Sequence, residues 1–294
     1  MVSDLKKKMK AIWRRVSFQR ERTFQEIWET ELRLLNGESL SESTHPSILH
    51  VTLNRSASQW VKSVLHQCAV QQGMVHVRWN EMAFNSEYPF LDHLDSVEKY
   101  EQIFHPRGYL YSAYGGYPKG IPQVEKYKVV LVIRDPRDIL VSRYFSMKES
   151  HSVPPETSDK REEFLEDRDF ARRVSIDEFV LEKKKNLRNQ YDRYLNQLLE
   201  EHPDVHVTRY EDMVTDVERW LDRLMAYVDL SPSEDTRTEI IEEARTIQAK
   251  DEDPSAHNRK GTPGDHQEKL QPATVKELND TFSDILDRFG YDQR

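Results

Sequence analysis

Arg134 closes the apolar run Val129-Val130-Leu131-Val132-Ile133 and is followed by Asp135-Pro136-Arg137-Asp138-Ile139-Leu140-Val141-Ser142-Arg143-Tyr144. Pro136 suits the first turn of a helix, and Ser142 then falls two turns along it. A guanidinium at a strand end and a hydroxyl on the ensuing helix can reach one phosphate. Arg134 can equally form a structural ion pair with Asp135 or Asp138. A second segment, Leu53-Asn54-Arg55-Ser56-Ala57-Ser58-Gln59-Trp60, reads as a strand–loop–helix turn. Such a turn aims backbone N–H groups and a helix N-terminus at an anion, while Arg55, Ser56 and Ser58 add a charge and hydroxyls. The plainer alternative has Ser56 or Ser58 capping the helix and Arg55 in solvent. A third, Val207-Thr208-Arg209-Tyr210-Glu211-Asp212-Met213, is again a strand running into a helix. In a fourth, Arg259-Lys260-Gly261-Thr262-Pro263-Gly264-Asp265-His266, two cations precede a glycine whose backbone can lie close to a phosphate, unless the segment is a surface turn. Anion binding is the chemistry the four share. The pattern G-x-x-x-x-G-K-[ST] is absent, which weighs against ATP or GTP hydrolysis. His202 and His206 have helical metal-ligand spacing, but Pro203 and the adjoining strand oppose a helical site, and no metal is expected.

These segments need a frame that brings them together. Strand-like runs occur at 47–53, 75–79, 108–112, 129–133 and 205–208, with helical stretches between them, including 60–72. The run 129–133 lacks alternation, as expected of a central parallel strand covered on both faces. The pattern predicts an α/β fold, a three-layer doubly wound sheet of parallel strands flanked by helices, with ligands at the strands' carboxyl ends. Residues 1–46 are expected to form an N-terminal helical extension and 47–294 the main domain. Helix-period apolar positions run through 3–36, as one helix or two, and stop at Asn36-Gly37. The stretch 151–175, charged and carrying Pro154-Pro155, is expected to be an exposed loop insertion. Ser175 and Glu178 form a capping box before a long amphipathic helix.

Composition narrows the function. Asp and Glu number 52 against 43 Lys and Arg, a net charge of -9 that opposes a general nucleic-acid binder. An anionic ligand must then be held by a local cluster of cations. No apolar stretch approaches the roughly 20 residues that span a bilayer, and no signal-peptide core is present, so a cytoplasmic protein is expected. The basic residues Lys6, Lys7, Lys8, Lys10, Arg14, Arg15, Arg20 and Arg22 suit either peripheral contact with an anionic membrane or a solvated helix face. The single cysteine, Cys68, reads as a buried helix position with no catalytic role.

Taken in order, the four segments resemble the sulfotransferases that use 3′-phosphoadenosine 5′-phosphosulfate (PAPS), over residues 48–291. The family's P-K-S-G-T-T-W loop is similar to Asn54-Arg55-Ser56-Ala57-Ser58-Gln59-Trp60, and its R-N-P-R-D-x-x-V-S-x-Y motif to residues 134–144. Its Y-E-D-M segment corresponds to Tyr210-Glu211-Asp212-Met213, and its R-K-G-x-x-G-D-W loop to residues 259–266. The resemblance implies a P-loop nucleotide-kinase-like fold and transfer of a sulfuryl group to a hydroxyl or amine of a small molecule, lipid or carbohydrate. The released product would be 3′,5′-diphosphoadenosine (PAP). It further implies that the amides of 56–59, with Ser58 and Gln59, hold the phosphosulfate, and that Trp60 stacks on the adenine with Tyr210 reaching the base. Arg134, Ser142, Arg259, Lys260 and Gly261 would bind the 3′-phosphate, and further adenine contacts would lie near Thr246 and Ile247. Arg55 replaces the usual lysine, keeping the charge while donating a proton less readily. Ala113 stands where the family carries its histidine base, so Glu81, Asp92, His93 and His105 become candidates, Glu81 and His105 first. Tyr109, Tyr111 and Tyr114 could line an acceptor pocket or pack in the core. The alternatives are a catalytically impaired PAPS- or PAP-binding protein and a nucleotide kinase; a monomer or homodimer suits each.

Overall fold

The computed structural model describes residues 23–91, 97–117, 120–150, 152–202, 204–248 and 262–292. Most of the basic N-terminal stretch, Asp92, His93, Arg259, Lys260 and Gly261 lie outside the described residues. Five strands, β1 (Ile48–Thr52), β2 (Val75–Val77), β3 (Tyr109–Tyr114), β4 (Lys128–Ile133) and β5 (Val205–Arg209), form one parallel sheet in the order β2-β3-β1-β4-β5. Each expected strand is present. Every residue of β4 from Val129 to Ile133 is buried, because the strand is paired on both edges and covered on both faces.

The helices are α1 (Phe24–Ile27), α2 (Glu29–Leu35), α3 (Ser58–Val70), α4 (Trp79–Phe84), α5 (Val97–Ile103), α6 (Pro136–Phe145), α7 (Arg161–Arg173), α8 (Ile176–Arg193), α9 (Leu199–Glu201), α10 (Tyr210–Thr215), α11 (Val217–Val228), α12 (Glu234–Gln248), α13 (Asp265–Lys269) and α14 (Pro272–Phe289). Alternation along β1 splits the core in two. Leu49 and Val51 face the layer that contains α6, α8 and α14, with Ile139, Phe179, Leu187 and Phe282. Ile48 faces the other, with Val61, Leu65 and Cys68 of α3 and Trp220, Leu221 and Leu224 of α11. Removing one such leucine side chain from a packed layer costs about 2–5 kcal/mol. Cys68 is buried in α3, and burial pushes its thiol up to about 11, which leaves it inert at neutral pH.

One expectation changes, and two open alternatives are resolved. The stretch 151–175 is not a loop throughout: it contains α7, whose inward residues Phe164 and Ala171 are two turns apart while acidic and basic residues cover the rest. Tyr109 and Tyr111 point into the core, at 1% and 0% exposure, and do not line a pocket. Their hydroxyls are spoken for: Tyr109 accepts from the Leu40 N–H at 2.7 Å, and Tyr111 donates to the Ile103 carbonyl at 2.8 Å. The described part of the N-terminal region holds two short helices, the first opened by a Thr23–Glu26 capping box. The second closes at Asn36, followed by Gly37 at φ +77°. The Ser175–Glu178 capping box opens α8 as expected. Among the described residues, no helix is long and apolar enough to cross a membrane.

Candidate nucleotide and acceptor site

The chain leaves β1 for one side of the sheet and later returns to β4 on the other, so the crevice between the carboxyl ends of β1 and β4 is the topological switch point. Both anion-binding segments start there. After β1, Arg55 at φ +75° and Ala57 at φ +58° adopt left-handed backbone conformations. For residues with a Cβ this costs about 1–2 kcal/mol each. Within this turn the Ser56 N–H donates to the Leu53 carbonyl at 3.3 Å, and the chain leads directly into α3. Ala57 is the N-cap of α3 and no side chain caps it, so neither Ser56 nor Ser58 takes the capping role. The first-turn amides of α3 are left to face the crevice.

Arg134 is not engaged in the structural ion pairs open to it. Asp135 is taken by Arg137, which contacts it through Nε at 3.0 Å and Nη2 at 2.6 Å and also donates to the Asp292 carbonyl at 2.6 Å. Asp138 is taken by His266, whose Nδ1 and backbone N–H lie at 2.6 and 3.0 Å, and by the Gly264 N–H at 2.7 Å. Burial would raise the Asp138 carboxyl, but the His266 hydrogen bond and the Arg134 charge outweigh it and hold it well below the usual carboxylate range. Arg134 instead donates from Nη1 to the Arg55 carbonyl at 2.8 Å and lies over the Tyr210 ring at 4.2 Å. Its buried Nε has no hydrogen-bond partner among the described residues, nor have Ser56 Oγ and Trp60 Nε1. Three buried groups able to donate, gathered at a cationic crevice, fit an anionic ligand with a heterocyclic base.

One cavity of about 750 Å³ collects these parts. Its lining includes Arg55, Ala57, Ser58, Gln59, Trp60, Arg134, Ser142 and Tyr210, eight of the residues expected at a cofactor site. Arg55 Nε donates to Ser142 Oγ at 3.0 Å. Trp60 packs against Trp220 with ring centroids 5.2 Å apart, and Ile247 of α12 lines the same end. Thr246 instead donates its hydroxyl to the Glu242 carbonyl. Ser56 lies fully buried beneath the loop. The segment 259–261 is outside the described residues, but the chain directly after it is fixed: Gly264 at φ +88° and His266 are tied to Asp138 of α6.

Glu81 and His105 are not brought to this cavity. Glu81 sits on α4 in an ion pair with Lys62 at 3.0 Å, and His105 stacks on Tyr109 with ring centroids 5.0 Å apart. Other groups line the same cavity, and sequence reasoning missed them. Glu163 and Asp167 enter from α7, Lys183, Asn186 and Gln190 from α8, and Arg143 from α6. Their i, i+4 and i, i+3, i+7 spacings place each set on one helix face, a signal available once α7 is read as a helix. Arg143 donates from Nη2 to Gln190 Oε1 at 2.7 Å, and Lys183 Nζ lies 2.6 Å from Asp167 Oδ1. No cluster suited to a metal occurs among the described residues.

The profile of the Sulfotransferase domain matches residues 45–290. No curated protein matches the chain by sequence. Among solved structures, mouse sulfotransferase SULT7A1 complexed with PAP superposes with a TM-score of 0.50 at 17% identity, covering 89% of this chain and 90% of that one. Retinol dehydratase in a complex with retinol and PAP gives 0.53 at 13% identity, with 86% and 84% covered. Sulfotransferase STF9 from Mycobacterium avium gives 0.52 at 10% identity, with 92% and 82% covered. These likenesses establish a shared fold.

Proposed function

Given that this chain belongs to the sulfotransferase domain family, we propose that it transfers the sulfuryl group of PAPS to an acceptor hydroxyl or amine in the cavity between β1, β4, α7 and α8. The observation that carries this reading is the convergence of the Arg55–Trp60 loop with Arg134, Ser142 and Tyr210 on one cavity. When bound, PAPS supplies the sulfuryl group and is left as PAP. The amides opening α3 hold the phosphosulfate, and Arg134 and Ser142 hold the 3′-phosphate, joined by Arg259, Lys260 and Gly261. Trp60, Tyr210 and Ile247 enclose the adenine.

Arg55 spreads positive charge over the bridging oxygen as negative charge develops there, which stabilises the transition state without a proton transfer. Its hydrogen bond to Ser142 holds that guanidinium in place before the reaction. The base is assigned to Glu163. With Ala113 at the strand end, the cavity's carboxylates toward α8 are Glu163 and Asp167, and Asp167 is already paired with Lys183. The Glu163 carboxylate accepts the proton from the acceptor hydroxyl as its oxygen attacks. A carboxylate in the cavity favours an active enzyme over an impaired binding protein. Calorimetric titration with PAP, against ATP and AMP, tests the donor site: selective binding of PAP is expected, and no binding by the folded protein would refute the assignment.

A further inference from the structure

Resting on that donor site, we infer that the acceptor is a neutral, hydroxyl-rich molecule, a saccharide or the sugar part of a glycoside. The cavity beyond the loop is bordered by Arg143, Ser146, Asp167, Lys183, Asn186 and Gln190, with Glu163 at α7. Its charges balance: two cations, Arg143 and Lys183, face two carboxylates, Glu163 and Asp167. The pairs also leave capacity for a ligand. Lys183 spends one N–H on Asp167, and Gln190 uses its carbonyl oxygen on Arg143, leaving its NH₂ group. The Asn186 side-chain amide has no hydrogen-bond partner among the described residues.

An apolar phenol or polyene placed here would cut these amides and charges off from water and return no hydrogen bonds. A ring of hydroxyls returns them, because each hydroxyl donates once and accepts twice. Phe90, on the same cavity, offers apolar surface for the C–H face of a sugar ring. Glu163 and Asp167 oppose a carboxylated or sulfated sugar, and Arg143 and Lys183 oppose an aminoglycoside, so a neutral acceptor fits best.

The test is titration of the PAP-loaded protein with methyl β-D-glucoside, methyl α-D-mannoside and lactose, with 2-naphthol as the apolar comparison, followed by calorimetry and saturation-transfer NMR. At least one saccharide is expected to bind and 2-naphthol to be excluded. Asn186→Leu and Gln190→Leu should each weaken saccharide binding by about tenfold while PAP affinity stays within about twofold. Silence from every saccharide, or tighter binding of 2-naphthol, overturns the inference, as does saccharide binding indifferent to both substitutions. The sugars are also titrated without nucleotide. Loss of PAP binding then counts against the donor site alone.

Discussion

Arg55 and Ser142, 87 residues apart in the chain, are joined by a 3.0 Å hydrogen bond from Nε to Oγ across the crevice between β1 and β4. This bond ties the loop that would face the phosphosulfate to the helix that would face the 3′-phosphate. The two ends of the proposed nucleotide site are therefore set relative to each other by the protein before any ligand arrives.

Arg134→Ala should weaken PAP binding by on the order of 2 kcal/mol, because a buried charge-assisted contact is lost. Calorimetry reads this directly. Arg134→Lys should recover only part of the loss, since the guanidinium also bonds the Arg55 carbonyl and lies over Tyr210.

Glu163→Gln should lower kcat by about 10²-fold or more and leave PAP affinity unchanged, as expected for a general base. Arg55→Ala should reduce kcat more than nucleotide affinity. Single-turnover rates alongside PAP titrations separate the two effects. Equal loss of both for Arg55→Ala would mark it as a ground-state anchor.

The five strands were legible because apolar, β-branched runs of strand length alternate with helical periods. The two loops after β1 and β4 were legible for the same reason, as each follows a buried run. The role of Arg134 was not decidable locally: Asp135 and Asp138 stand beside it in sequence, and only folding shows them committed elsewhere. Arg137, which claims Asp135, also reaches Asn279 and Asp292, 142 and 155 residues away. The lining contributed by α7 was hidden because this helix buries only Phe164 and Ala171 amid charges, too weak a period to outweigh Pro154-Pro155. Tyr109 and Tyr111 share a strand face by their spacing, but which face is interior depended on helices elsewhere in the chain.

Ala57→Gly should raise stability by about 0.5–1 kcal/mol. Its φ of +58° costs an alanine about 1–2 kcal/mol, against which the greater freedom of glycine in the unfolded chain costs somewhat less. Chemical denaturation at constant m-value would show it; a loss of stability would mean the left-handed turn carries no strain.

Two buried groups give stability opposite pH dependences. Burial pushes the Glu211 carboxyl up to about 7, against the opposing Asp135 N–H bond. The folded chain keeps this proton after the unfolded chain has released it at about 4.3, so the contribution is full below that pH and is lost as pH rises toward 7. Glu211→Gln should therefore stabilise the protein at pH 8 relative to the parent. Burial, with Lys62 adding to it, pushes His50 down to about 3. Its contribution is full above about 6.5 and is lost as pH falls toward 3. His50→Leu should blunt the acid loss in urea melts between pH 4.5 and 6.5. Parallel curves for parent and variant would remove either residue from the account.

The tie between Asp138 and His266, with that between Arg137 and Asp292, has a consequence for synthesis. A nascent chain that has emerged only as far as α12 possesses both strand-end loops, yet α6 still lacks the partners that hydrogen-bond Asp138 and complete the hydrogen bonds of Arg137. These contacts span more than a hundred residues, so they close late and together. Residues through 292 must leave the ribosome before the crevice between β1 and β4 acquires its final shape, and a chain stopped short of α13 emerges with the loops in place but with α6 unanchored.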